Sequence, residues 1–320
     1  MSGTAPADGG YGALHAAAGA RAVGRDVLAV SGPDALSYLQ GQCSQDLAAL
    51  DVGGSTESLV LSPQGKVDAW VRVTRTGDDT FVLDGDPGVG AVARARLERF
   101  KLRTDVTFES LDWSCLSIRG PAAAEVVARV SVGADVLVLS VDGWPGWTGV
   151  DLLGPADALP DVDDLDVVTC TEDAWRAARI EAGVPVGGRE VTEATIAAEV
   201  GLVDRTVSFT KGCFTGQELV ARLDSRGSNV ARRLCGVVVP GEASPPVGAT
   251  VWTADGSHEV GSLTSVAWSP GHGATVALAV LHRRVTPPES VEVRWDGGVV
   301  GAGGQRVPAE ARPLPLGPGD

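Results

Sequence analysis

The stretch KGCFTGQE, Lys211 to Glu218, sets two glycines, one cysteine and two charges around a single phenylalanine. A hydrophobic core has no need of that mixture. Thr215 followed three residues later by Glu218 fits a capping box, LVARL continues it as a helix, and Gly227 is a reasonable stop. KGCF is then a loop that delivers the chain to a helix N-terminus. Cys213 stands two residues before the expected cap with Lys211 nearby, and a helix N-terminus and a cation both favour thiolate over thiol. Gly212 and Gly216 permit close backbone approach to a ligand. By itself the stretch supports two readings. Either Glu218 only caps, Gly216 only turns and Cys213 only packs, or the loop carries chemistry.

The surroundings add charge. From Val203 to Leu234, six basic residues (Arg205, Lys211, Arg222, Arg226, Arg232, Arg233) stand against Asp204, Glu218 and Asp224, a local balance of +3 in a chain of net charge −15. Such a segment is either a solvated basic face or a seat for an anionic small ligand, which needs directional donors such as arginine. The overall charge and a pI near 4.7 argue against nucleic acid, whose phosphates such a surface repels. At 320 residues the chain exceeds one ordinary core, so two or three domains are expected. It has no uninterrupted apolar run of membrane length, which predicts no membrane span. Its first twenty residues lack a basic start followed by an apolar core, so a cytoplasmic, non-secreted protein is expected. The five cysteines (43, 115, 170, 213, 235) are scattered with no C-x-x-C, and the four histidines form no metal spacing, so no resident metal is expected. Reduced and mostly buried thiols are the plain reading.

Outward from the stretch, residues 1–20 are Gly/Ala-rich and read as loose. VLAVSG (27–32) reads as a strand, with Pro33 suited to a following helix. ESLVLSPQGKVDAWVRVTR (57–75) reads as two strands around a Pro-Gln-Gly turn, and TFVLD (80–84) as a third. Val89, Val92, Ala93, Leu97 and Phe100 recur at helical spacing. WSCLSIRG, PAAAEVVARV and DVLVLSV give strand, helix, strand, and the Pro/Asp-rich run 155–166 a surface connection. Thr171 caps an expected helix 172–182, with Glu172 and Asp173 in its first turn. From Cys235 the texture changes to short strands cut by Gly and Pro, which suggests a small antiparallel barrel or sandwich. The fold class is therefore α+β, with an all-β C-terminal domain. GDPGVG (85–90) does not fit a dinucleotide fingerprint, SPQGKV is a hairpin turn rather than a P-loop, and no G-x-S-x-G elbow occurs.

KGCFTGQE resembles the signature K-G-C-[FY]-x-G-Q-E of the YgfZ family, folate-binding relatives of the glycine-cleavage T-protein that include mitochondrial iron–sulfur assembly factors. The resemblance does not stand alone. VSGPDALSYLQGQCSQDL (30–47), LSPQGKVDAWVRV, WRAARIEAGVPV (175–186) and ELVARLDSRG (218–227) resemble further family segments, from about residue 25 to the C-terminal barrel. It implies a T-protein-like fold of three domains around a central opening that binds tetrahydrofolate. It also implies a role in making or maintaining iron–sulfur clusters, in support of enzymes such as the radical tRNA-thiolating proteins. Cys213 matches the key functional cysteine, Trp175 a folate-contacting tryptophan and Glu181 a glutamate that faces the pterin. Trp175, on the apolar face of its helix, also suits a core position. A pterin wants an aromatic face and a carboxylate for its amino-imine edge, and the anionic glutamate tail suits Arg222, Arg226 or Arg233. Lys211 is counted with these as a cofactor-binding residue. Val27 stands where the family has another folate-contacting tryptophan, so that wall is either missing or supplied by a different tryptophan.

The expected domains are 21–112 with 170–230, 113–169, and 231–316, with 1–20 and 317–320 flexible. The expected function is a monomeric tetrahydrofolate-binding accessory protein for iron–sulfur assembly or repair, with iron–sulfur clients as partners. The alternative is aminomethyltransferase activity, which needs an aspartate in the region 81–100 to orient the folate. Asp84 and Asp86 lie there, but the surrounding pattern does not match and neither is assigned. A scaffold without ligand is the third reading.

Overall fold

The computed structural model describes residues 8–141, 143–225, 229–296 and 304–317. The chain divides into two compact units. Unit one comprises residues 1–23, 116–185 and 231–320, and unit two residues 24–115 and 186–230.

The chain begins in unit one with α1 (Tyr11–Ala16) and β1 (Gly19–Val23), so the run that composition marks as loose holds a helix and a strand. In unit two follow β2 (Asp26–Ser31), α2 (Ala35–Gln42), β3 (Ser55–Leu61), β4 (Val67–Gly77), β5 (Thr80–Gly85), α3 (Val89–Phe100) and β6 (Thr107–Leu111). These strands form one antiparallel sheet in the order β3-β4-β5-β2-β6. Alternation along β4 sends Val67, Ala69, Val71 and Val73 to one face and Trp70, Arg72 and Thr74 to the other. Ala69, Val71 and Val73 join Leu28, Val30, Phe81 and Leu83 in a core that Ala93 and Leu97 of α3 cover. Helical spacing predicts α3, and it forms at those bounds.

β7 (Trp113–Arg119), α4 (Ala123–Ala128), β8 (Leu137–Ser140), β9 (Gly149–Pro155), β10 (Val168–Thr169) and α5 (Glu172–Glu181) come next. The sheet order is β10-β1-β7-β9-β8, with β1 parallel to β10 and β8 antiparallel to β9. Its core unites Ala20, Leu116, Ile118, Val150 and Leu152 with Val126 and Val127 of α4. The short helices α6 (Val203–Thr206) and α7 (Gln217–Asp224) belong to unit two.

β11 (Arg232–Val239), β12 (Thr250–Thr253), β13 (Glu259–Ser269), β14 (Ala274–His282), β15 (Glu289–Trp295) and β16 (Gln305–Arg312) close into a six-stranded barrel, β11-β14-β13-β12-β15-β16. All its pairs are antiparallel. Closure removes the sheet edges, which suits strands this short. Val237, Val239, Val251, Ala277, Ala279, Val291 and Val293 fill it. The barrel expected from the texture after Cys235 is the one observed. Among the described residues, no helix is long and apolar enough to cross a membrane.

Candidate functional site

The centre of unit one's site is α5. Thr171 caps it as expected, its hydroxyl oxygen accepting from the Ala174 amide at 3.3 Å. The apolar spacing of TEDAWRAARIEA buries Ala174, Trp175, Ala178 and Ile180 together with Arg179 and Glu181 in the last turn. Arg179 donates to the Val184 carbonyl at 2.6 Å and to Ser265 Oγ at 2.7 Å. Glu181 is different. Only 5% exposed, its carboxylate faces the α1 side chains. The Tyr11 hydroxyl donates to Oε1 at 2.9 Å and Oε2 at 3.0 Å, and His15 Nε2 lies 3.5 Å from Oε2. Burial first, and the carboxylate beside it, push the Tyr11 pKa up to about 12, so this hydroxyl stays a donor at neutral pH. One shared proton leaves a carboxylate with most of its acceptor capacity.

That capacity faces a cavity of about 580 Å³, lined by Glu181, Tyr11, His15, Trp147, His272 and Leu316 among others. The size lies within the range of small-molecule sites. Trp147 and His15 form the aromatic wall, ring centres 4.4 Å apart, and Tyr11 lies 4.4 Å beyond His15. Trp144 stands 6.3 Å behind Trp147, and Trp175 5.4 Å from Trp144. Trp175 thus lies in the second row, 8% exposed, beside the Arg119 guanidinium at 5.3 Å. Arg119 is held by Asp151 at 2.8 Å. The structure therefore brings Glu181 to the cavity wall and sets Trp175 beneath that wall, where it supports Trp147 through Trp144.

Cys213, Lys211 and Arg222 belong to unit two. The expected capping box does not form. The Thr215 amide donates to the Gly41 carbonyl at 3.1 Å, and Gly216, at φ +81°, takes the N-cap position. A Cβ there would sit 2.5 Å from the Ser62 carbonyl oxygen. Gly65 of the SPQGKV turn approaches the same backbone, where a Cβ would come within 3.0 Å of the Gly216 carbonyl. Glycines at both positions let two loops pack backbone to backbone. Gln217 folds back, its Oε1 accepting from the Phe214 amide at 2.9 Å. Glu218, freed from capping, pairs with Arg222 at 2.7 Å in solvent. The expected stop at Gly227 and the ligand residue Arg226 lie outside the described residues.

Lys211 is engaged within the protein. Its ammonium donates to the carbonyls of Gln40, Cys43 and Gln45 at 2.6, 2.7 and 2.9 Å, which uses all three protons. Burial lowers its pKa, and the Cys43 and Asp46 side chains oppose that shift. It is thereby a clamp between the two segments LQGQCSQ and KGCFTGQE, with no donor left for a folate tail. Thr215, Gly216 and Gln217 complete the clamp, and the loop they fix presents Cys213 to solvent, the one exposed thiol of the five. The odd composition of the opening stretch follows: most of it anchors a loop, and the cysteine is what the loop displays. Replacing Lys211 by Met should lower stability by roughly 2–4 kcal/mol, because three carbonyls lose a charged donor. Urea unfolding followed by hydrogen exchange at residues 40–46 measures it, and a loss under about 1 kcal/mol contradicts the clamp.

Asp84 is fully buried and accepts from Arg25 and Arg72, and Asp86 accepts from Arg25 at 3.0 Å and from the Gly187 amide at 2.8 Å. Val27 is buried opposite Asp84 in the sheet. Cys43, Cys170 and Cys235 are pushed up to about 11, each by burial. Among the described residues no group of three His, Cys, Asp or Glu side chains is placed to hold a metal ion. Residue-by-residue reading of the sequence missed Tyr11, His15 and Trp147. Only their chemistry, aromatic and titratable, could have drawn notice, since no local pattern marks them.

The fold and these sites define a T-protein-type chain. The model for the GCVT N-terminal domain matches residues 25–140, and that for the glycine cleavage T-protein C-terminal barrel domain matches residues 232–316. The crystal structure of glycine cleavage system aminomethyltransferase T from Bartonella henselae superposes with a TM-score of 0.81 at 22% identity, over 96% of this chain and 88% of that one. An aminomethyltransferase of Corynebacterium jeikeium is 25% identical over 78% of this chain and 75% of its own length. The tRNA-modifying protein YgfZ of Klebsiella pneumoniae is 28% identical over 62% of this chain and 65% of its own length. The chain belongs to the family of YgfZ and the glycine cleavage T-protein.

Proposed function

We propose that this chain binds tetrahydrofolate and acts, in the manner its YgfZ-type signature implies, as an accessory factor for iron–sulfur cluster assembly or repair. One observation carries the binding half: a buried carboxylate, Glu181, that keeps free acceptor sites at the wall of a 580 Å³ cavity beside Trp147. A pterin offers what that wall lacks, two adjacent N–H donors on a flat ring. The exposed Cys213 on its clamped loop supports the second half, since a thiol that meets a client must be both accessible and positioned. With no set of cluster ligands among the described residues, a cluster here is a cargo shared with a partner.

The test is anaerobic titration with tetrahydrofolate, followed by tryptophan fluorescence and heat together, with client activation by Cys213→Ala measured in cells lacking the wild-type chain. Saturable binding that perturbs tryptophan emission, and lost client activity in the variant, are expected. No saturation at millimolar ligand overturns the folate half, and full client activation by Cys213→Ala overturns the thiol half.

Aminomethyl transfer is the second reading, favoured by the relatives that carry that name. Asp84 speaks against it, because Arg25 and Arg72 already occupy its carboxylate. Glycine-cleavage turnover with lipoylated carrier protein discriminates the two.

A further inference from the structure

We infer that the end of α3, in unit two, is a docking site for a short acidic segment of a partner protein, with Leu102 as its apolar anchor and Arg99, Lys101 and Arg103 as the cations around it. Five of the ten residues 94–103 are basic against one acid, Glu98, a balance of +4 in a chain of net charge −15. Two of the five are engaged in the fold. Arg94 pairs with Glu98 at 2.8 Å, and Arg96 turns inward to Asp68 at 3.1 Å and the Leu61 carbonyl at 2.9 Å. Arg99, Lys101 and Arg103 are exposed, and no carboxylate among the described residues pairs with them.

Cations at a helix C-terminus offset its dipole, which accounts for Arg99 in the last turn. It does not account for Leu102. That side chain is 77% exposed, more than any other large apolar one among the described residues. Val92, 48% exposed, and Ala95 lead up to it along the outward face, since positions 92, 95 and 99 fall at i, i+3 and i+7, while Ala93, Arg96 and Leu97 face the core. Nor does the dipole account for Arg103, whose φ of +56° is a left-handed conformation that costs a residue with a Cβ energy. A bare leucine among unpaired cations on a strained turn suits a ligand with carboxylates and one apolar side chain, for guanidiniums hold carboxylates in directed pairs and an apolar centre inside a polar rim is how interfaces are built. The strip from Val92 to Leu102 is one helix wide and about 15 Å long, which fits a peptide segment better than a flat protein face. Charge limits the partner's length as well. Past a Debye length of about 8 Å the patch is screened, and a long polyanion such as RNA or an anionic membrane runs on into the repulsion of an acidic chain.

Fluorescence anisotropy of a labelled glutamate-rich peptide with one central leucine, titrated with the full chain at low salt, tests this. Saturable binding is expected, weaker by roughly tenfold when the peptide's leucine is changed to serine or the protein carries Leu102→Ser. Arg99→Ser and Arg103→Gly should each weaken it by roughly threefold. Arg103→Gly should also melt higher than wild type, because glycine takes that dihedral without strain, so its weaker binding is not damage to the fold. Arg129→Ser, which removes an exposed cation of unit one, should bind as wild type does. Absence of saturation overturns the proposal. So does equal affinity for the leucine and serine peptides, or binding that survives both Leu102→Ser and Arg103→Gly. Tighter binding to poly-uridylate or to phosphatidylserine vesicles, lost in the same variants, assigns the patch to RNA or to a membrane and overturns it too.

Discussion

Asp84→Asn is expected to destabilise unit two by about 3–5 kcal/mol, the usual loss when one partner of a buried ion pair is removed. The carboxylate is fully buried, with Arg25 at 2.6 Å from Oδ2 and Arg72 at 2.9 Å from Oδ1. Neutralising it removes the carboxylate that two largely buried guanidiniums share, while Arg25 keeps its pair with Asp86 at 3.0 Å. The pH dependence has a definite sign. Burial alone raises the Asp84 pKa, but Arg25 and Arg72 outweigh it and hold the carboxyl below the ordinary range. A folded value below the unfolded one means stability that is complete above about pH 4 and is lost as pH falls through the folded value. Urea midpoints at pH 7 and pH 3, read by hydrogen exchange of the β4 and β5 amides, measure both effects. The variant should lose stability at pH 7 and show less further loss at pH 3 than wild type. A change below 1 kcal/mol at pH 7 means that water reaches the pair.

The same cluster shows what a sequence conceals. Arg72 and Asp84 sit on adjacent strands at a register that pairs them directly, yet one reads as half of an alternating strand and the other as an unassigned acid. Strands, the turn at Pro63-Gln64-Gly65, helix α3 and the Thr171 cap were legible because each is decided by neighbours within a turn or a pleat. The Thr215–Glu218 box was not. Its local rule is outcompeted by contacts 150 and more residues away, with Gly41, Ser62 and Gly65. Glu181 was identified through resemblance, and the structure gives it a physical setting. The rest of its cavity comes from α1, residues 120–121, a loop at 146–148, a turn at 271–272 and residues 316–317, five segments that no periodicity connects. The Gly/Ala-rich composition of residues 1–20 concealed Tyr11 and His15, because a short helix that packs on α5 needs few apolar residues of its own.

Glu181→Gln is the most informative single change in the cavity and should weaken tetrahydrofolate binding by roughly 30- to 1,000-fold. Hydrogen bonds to a charged acceptor contribute about 1.5–3 kcal/mol each, and the amide keeps one acceptor oxygen while turning an N–H₂ toward the ligand's second donor. A net loss of about 2–4 kcal/mol gives that fold-change. The fold should survive, because the remaining amide oxygen still accepts from Tyr11, which reaches both carboxylate oxygens in wild type. Thermal unfolding of the variant checks this independently of ligand. Trp175→Ala makes the contrast. It removes a buried ring beneath the wall, so it should lower the unfolding temperature as well as the affinity. Wild-type affinity in Glu181→Gln, with a wild-type melting temperature, would mean that the ligand's donor edge lies elsewhere and that this carboxylate serves only to tie α1 to α5.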